Sequence, residues 1–265
     1  MNDVIELINS RLETIQQQEQ VVILLAVESG SRAWGFPSAD SDFDVRFVYC
    51  RSPEFYLSID LADQPDVIER PIEDSIDLSG WDIRKALTLF KKSNPPLLEW
   101  LQCPIIYREQ SFFANEMRKF LPDFYSPIAS FFHYKHMAEG NFRDYLRGDV
   151  VWRKKYLYVL RPLLATRWIR QGLGPVPIEF ARVVEATVPS GPVRDAIDRF
   201  IEQKRAGQDL DRGPRIPILS DFIEAEIQTL ADEAPDRQFK PASVEKLNAL
   251  FQTILSDLWP EWFSK

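Results

Sequence analysis

Histidine and cysteine are scarce in this chain: its 265 residues hold only His133, His136, Cys50 and Cys103. A structural zinc site typically takes about four such ligands, so zinc chemistry built on His and Cys is disfavoured and any metal must be held by carboxylates. The two cysteines lie far apart in apolar segments, which predicts buried reduced thiols rather than a disulfide. Long apolar runs are missing too, and none approaches the roughly 20 residues of a bilayer-spanning helix. The opening MNDVIELINSRLETIQQQEQ has neither the basic start nor the apolar block of a secretory signal, so a cytoplasmic protein with no membrane partner is expected. Positive charge is also short, with 32 Lys and Arg against 40 Asp and Glu and a net charge of −8. That balance disfavours a protein living on non-specific nucleic-acid binding. What remains is an ordinary globular composition, 45% hydrophobic and 27% charged, in a chain long enough for one large domain or two modest ones.

Apolar residues Val4, Ile5, Ile8, Leu12 and Ile15 recur at helical spacing and predict an amphipathic helix over 3–18. VVILLAV (21–27) has the β-branched content of a buried strand, and DFDVRFVYC (42–50) follows as a second. Further strands are expected at 67–72 and 75–80, a helix at 81–93 closed by Asn94-Pro95-Pro96, and a short strand at PIIY. Beyond it the periodicity is helical, over 126–147, 151–171, 191–206, 218–231 and 241–258, with Pro241 and Pro260 bounding the last. The predicted organisation is an α/β part, residues 1–108, followed by an all-helical part, residues 109–265.

The chemistry concentrates between the first two strands. Asp42 and Asp44 stand one residue apart on the expected strand, so period-two alternation turns both carboxylates to one face. Two such carboxylates repel unless a cation lies between them, and hard oxygen donors suit Mg²⁺. Upstream, Gly30-Ser31 follows a buried strand. A glycine there permits close backbone approach to a ligand, and successive N–H groups with the Ser31 hydroxyl form an anion-binding concavity. A triphosphate held between that turn and a carboxylate-bound Mg²⁺ is the arrangement phosphoryl transfer requires. Either motif alone is common in turns and caps, and the pairing carries the signal.

The string GSRAWGFPSADSDFDVRF resembles the signature of the DNA polymerase beta nucleotidyltransferase superfamily: Gly-Ser, a short loop, then Asp-hydrophobic-Asp-hydrophobic. With Arg32, Gly35, Ser41 and Arg46 it is similar to one branch, the RNA repair pathway DNA polymerase beta family. SGWDIRKALTLFKKSNPPLLEWL and KKYLYVLRPLLA extend the likeness over most of the chain. The resemblance implies an α+β fold, a polymerase-beta-type mixed sheet with flanking helices, followed by an all-helical domain. It implies transfer of a nucleoside monophosphate from an NTP to a hydroxyl with release of pyrophosphate. Two Mg²⁺ would sit on Asp42 and Asp44, with Gly30, Ser31, Arg32, Ser41 and Arg46 about the nucleotide.

The resemblance further implies a third carboxylate on a neighbouring strand, acting as metal ligand or general base. Asp77, flanked by Ile76 and Leu78, has the required pattern, while Asp82 reads equally as a helix cap and Asp74 as a turn residue. Lys154, Tyr158 and Arg161 fall at i, i+4 and i+7 and share a helical face. The family implies that Lys154 and Arg161 clasp the β- and γ-phosphates; a solvated basic face stays open beside that reading, and Pro162 interrupts the helix. The locally basic stretch from His133 to Arg170 carries the same two readings. His133 and His136 read as partly buried helix residues, and Glu99 as an exposed helix residue. An RNA or tRNA end is the acceptor the family implies, with a protein or small-molecule hydroxyl as the competitor. A nucleotide-binding or partner-binding protein without turnover is the rival from another class.

Overall fold

The computed structural model describes residues 2–208, 210–230 and 242–264; Ala231 and Pro241, at the ends of two expected helices, lie outside them. Helix α1 (Asn2–Glu19) leads into β1 (Val22–Glu28), a short α2 (Gly30–Trp34) and β2 (Phe43–Cys50). There follow α3 (Pro53–Tyr56), β3 (Val67–Glu69), β4 (Ile76–Asp82), α4 (Ile83–Lys91), α5 (Pro95–Gln102) and β5 (Ile106–Glu109). The remainder is α6 (Ser111–Phe124), α7 (Pro127–Tyr145), β6 (Val150–Trp152), α8 (Tyr156–Arg170), α9 (Phe180–Thr187), α10 (Pro192–Arg205), β7 (Arg212–Pro214), α11 (Pro217–Thr229), α12 (Glu245–Leu258) and α13 (Pro260–Phe263). The fold is α+β, a mixed sheet with flanking helices. No described helix is long and apolar enough to cross a membrane.

The sheet runs β3-β4-β2-β1-β5, antiparallel throughout except for the parallel pair β2–β4. Alternation gives it two different faces. Val45, Phe47 and Tyr49 of β2, with Ile76 and Leu78 of β4, meet Ile8, Leu12 and Ile15 of α1 in one core. Val48 and Cys50 turn the other way, into a core completed by α4, α5, α6 and α12. A register shift between Ile23 and Leu25 in β1 puts Leu24 and Leu25 together in that second core, while Ile23 and Ala26 serve the first. Both α6 and α12 lie past residue 108, yet they pack beneath the sheet with the N-terminal elements. A third core joins α7–α11.

Two local departures from the expected elements bear on the site. Residues 150–152 pair as β6 with β7, and the Arg153 and Lys154 N–H groups donate to the Asp211 and Leu210 carbonyls. The helix expected over 151–171 therefore begins only at Tyr156, and Lys154 sits in a 3₁₀ turn before it. Asn94, expected to close a helix, instead opens α5: its side chain accepts from the Leu97 N–H, with Pro95 in the first turn.

Candidate active site

Strand β2 opens at Phe43, so Asp42 is the last residue of the preceding loop and is exposed, while Asp44 is half-buried. The parallel register sets Asp44 opposite Asp77 on β4, both on the face away from α1. Arg46 lies between them. Its guanidinium is 2.7 Å from Asp77 Oδ2 and 3.4 Å from Asp44 Oδ1, and it also donates to the Val45 and Asp77 carbonyls at 3.1 Å. Burial pushes the Asp44 carboxyl above its ordinary range, Arg46 pulls it back, and the charges of Asp77 and Asp42 push it up again.

Two other acids weighed as the third carboxylate lie elsewhere. Asp82 is buried and caps α4, accepting from the Arg84 N–H and from the Tyr56 hydroxyl at 2.8 Å each. Asp74 is exposed in a turn at φ 50° and pairs with Arg11 at 2.5 Å.

Gly30 is fitted to Asp44. Its φ is +60°, and a Cβ there would fall 2.0 Å from Asp44 Oδ2, so only glycine lets the turn lie against this carboxylate. Ser29 N–H donates to the Asp44 carbonyl at 2.8 Å, and Ser31 is buried at the start of α2. Below them Glu28, wholly buried, accepts from the Asp44 N–H at 2.9 Å and from the Tyr107 hydroxyl. Desolvation is the main cause of its raised pKa.

The loop that delivers Asp42 is tied at both ends. Arg32 donates to the carbonyls of Asp42 (3.1 Å) and Ser41 (2.6 Å) and lies 3.8 Å over the Phe43 ring. The Ser41 hydroxyl accepts from the Ser38 N–H at 3.0 Å. Phe36 is buried in the helical core against Phe180, and Arg205 of α10 donates to the Gly35 carbonyl. The position of Asp42 is thus set by helices far along the chain.

From the helical half the structure brings Tyr158 to the carboxylates: burial raises its phenol, and Asp44 and Asp42 add to the effect. Lys154 and Arg161 are not brought together. Lys154 lines a polar cavity with Ser38, Asp40 and Lys204, and lies 3.5 Å from Asp211. Arg161 is buried, 2.6 Å from Glu99 Oε2 and 4.3 Å over the Trp34 ring. Glu99, expected to be exposed, is 6% accessible and also accepts from the Tyr134 hydroxyl at 2.6 Å. Its partners come from α7 and α8, which no local pattern around residue 99 could announce. Much of the basic stretch is paired in the same internal way, with Arg167 and Arg170 on Glu226. His133 is half-buried and held below its ordinary pKa by desolvation.

Along residues 4–253 the chain matches the RNA repair pathway DNA polymerase beta family. It belongs to that family. With membership comes the DNA polymerase beta-like nucleotidyltransferase superfamily. Among similar proteins, the uncharacterized protein YcgL of Bacillus subtilis (strain 168) is 44% identical over 251 residues, covering 94% of this chain and 96% of that one. A crystal structure of a nucleotidyltransferase-like protein from Exiguobacterium sibiricum 255-15 aligns with 96% of this chain and 91% of that chain, at 12% identity and a TM-score of 0.32.

The donor set fits a family divalent cation of the Mg²⁺ kind. Among the described residues no three His, Cys, Asp or Glu side chains converge into a cage. Mg²⁺ does not ask for one, taking one or two carboxylates with waters and substrate phosphates. Asp42 and Asp44 offer oxygen donors of that kind, and the half-buried Asp44 charge is one a cation would relieve. Arg46 already supplies positive charge to both Asp77, at 2.7 Å, and Asp44, at 3.4 Å.

Sequence reasoning passed over Glu28, although an acid ending an apolar strand next to Ser29-Gly30 was a visible anomaly. Lys155, which it placed only within the basic stretch, has its ammonium 4.4 Å from the Tyr158 ring and 4.7 Å from that of Tyr145. The run Arg153-Lys154-Lys155 was the available signal there.

Proposed function

We propose that this chain transfers a nucleoside monophosphate from an NTP to a hydroxyl at an RNA end, releasing pyrophosphate. The observation that carries the reading is the contact of Gly30 with Asp44: an N–H-bearing turn and a half-buried carboxylate share one small volume, separated by no side chain. Asp42 and Asp44 would hold the magnesium. Gly30 and Ser31 bind the triphosphate through backbone N–H and hydroxyl donors. Asp77, fixed against Arg46, completes the acidic wall. Lys155 and Lys154 offer positive charge from the helical side, and desolvation holds the Lys155 ammonium below its ordinary pKa.

In the reaction the acceptor hydroxyl gives up its proton to solvent, its oxygen bonds the α-phosphorus, and the bond from that phosphorus to the β-phosphate bridging oxygen breaks, so that pyrophosphate departs. Magnesium, when bound, eases the first change and neutralises charge on the departing pyrophosphate. The protein's own part is mostly positioning: Glu28 fixes the Asp44 backbone, and Arg32 fixes that of Asp42. The RNA acceptor is supported by the family's description.

The test is pyrophosphate release from each NTP with Mg²⁺ and total RNA, against Asp42→Asn/Asp44→Asn as control. Release confined to the unsubstituted protein is expected; equal release from both would refute the assignment. Binding of the RNA acceptor should also weaken steeply as salt rises, and a flat response would point to a different acceptor.

A further inference from the structure

Tyr158, whose phenol feels the charges of Asp44 and Asp42, also lines a cavity. That cavity, about 230 Å³, lies between α2, α5, α7 and α8, and Ser29, Trp34, Met137, Asn141 and Tyr158 line it above the Glu99–Arg161 pair. It is smaller than the roughly 300–1,000 Å³ of pockets that enclose whole ligands, so it suits one part of a larger molecule. Ser29, on its wall, is adjacent in sequence to Gly30.

We infer that this cavity receives the nucleobase of the NTP, an inference that rests on the nucleotidyltransferase reading. Its walls have the chemistry of a base site: aromatic and thioether surface with few polar groups. The Trp34 and Tyr158 rings meet edge to face with centroids 5.6 Å apart. Asn141 donates to the Tyr158 carbonyl at 3.0 Å, which fixes its amide and leaves its oxygen to accept from a base. The Trp34 indole N–H is buried with no partner among the described residues, a cost that an acceptor on the ligand would relieve. Below, Arg161 and Glu99 present a donor group and an acceptor group, neutralised by each other at 2.6 Å. A phosphate would find no uncompensated cation here.

Inorganic tripolyphosphate separates this inference from the reading beneath it, because it needs the phosphate site and not the cavity. Calorimetry with Mg²⁺ would compare it with each of the common NTPs on the unsubstituted protein, on Met137→Trp, which fills the cavity, and on Asn141→Ala. The expected result is that the best NTP binds the unsubstituted protein about tenfold or more tighter than tripolyphosphate, the scale of one stacked base. Met137→Trp should abolish that margin while leaving tripolyphosphate affinity unchanged, and Asn141→Ala should reduce the margin unequally among the NTPs. Equal affinity of NTPs and tripolyphosphate for the unsubstituted protein overturns the base site and leaves the phosphate site standing. Binding of neither ligand removes the nucleotidyltransferase reading and this inference with it. If Met137→Trp loses both ligands and Asn141→Ala binds every NTP as the unsubstituted protein does, the inference is overturned as well.

Discussion

Gly30→Ala is the substitution that probes the site most directly. The new methyl would lie 2.0 Å from Asp44 Oδ2 and 2.8 Å from its Cγ, on a residue at φ +60°. Two costs arise. The left-handed conformation costs an L-residue about 1–2 kcal/mol, and overpacking typically adds about 1–3 kcal/mol. Gly35→Ala isolates the first, because Gly35 has φ +91° but nothing within 4 Å of where its Cβ would stand. Gly30→Ala should therefore be less stable than Gly35→Ala by about 1–3 kcal/mol, with melting points separated by about 2–4 °C per kcal/mol for a chain of this size. The clash is relieved most cheaply by swinging the Asp44 carboxylate aside. Since a misplacement of about 1 Å at reacting groups can cost about 100-fold, pyrophosphate release should fall by at least that much in Gly30→Ala and stay within a few-fold in Gly35→Ala. Thermal melts and the release assay on both proteins test the idea. If the two variants melt together and turn over alike, the contact between Gly30 and Asp44 has no part in the site.

Breaking the buried pair by Glu99→Ala should cost about 3–5 kcal/mol, because Arg161 is left charged without a partner. The double variant Glu99→Met/Arg161→Met should recover most of that loss in urea unfolding; additive losses would mean that the two do not act as a pair. Glu28, with its raised pKa, holds its proton more tightly folded than unfolded, so its contribution is present at low pH and lost as pH rises through the folded value. Glu28→Gln has no such loss and should gain stability relative to the unsubstituted protein as pH rises above 4.5, the ordinary value. A difference between the two proteins that does not vary with pH would contradict this. Cys50 and Cys103 are free and buried, with thiols pushed up by desolvation to about 12 and about 11. Ellman's reagent at neutral pH should label neither until the protein unfolds, and prompt labelling of the native protein would show that the cores around them open.

The elements whose apolar pattern is local were legible. The spacing of Ile8, Leu12 and Ile15 identified α1, the run VVILLAV identified β1, and the free thiols followed from their apolar surroundings. The family was legible because the segment that carries Asp42 and Asp44 concentrates its signal within one short stretch. What stayed hidden depends on partners remote in sequence. Arg161 and Glu99 each look like surface charges in isolation and become core residues only as a pair. Strand β6 exists because residues 212–214 pair with it, so no periodicity could separate it from the helix that follows. Arg46 was visible beside the aspartates, but its station between Asp44 and Asp77 depends on the parallel register of β2 with β4, which a sequence does not print.

The helix that completes the core beneath the sheet arrives late. Strand β1 ends at Glu28, and α12, whose Leu247, Leu250, Ile254 and Leu255 fill that core, begins at Glu245. At ribosomal rates of about 5–20 residues per second the interval is on the order of tens of seconds. Throughout it, the apolar face of the nascent sheet lacks part of its cover and needs either a chaperone or the slow return of the chain itself. A message cut short between β5 and α12 would thus yield a product carrying every aspartate of the site on a sheet that stays sticky, a substrate for quality control rather than a smaller enzyme.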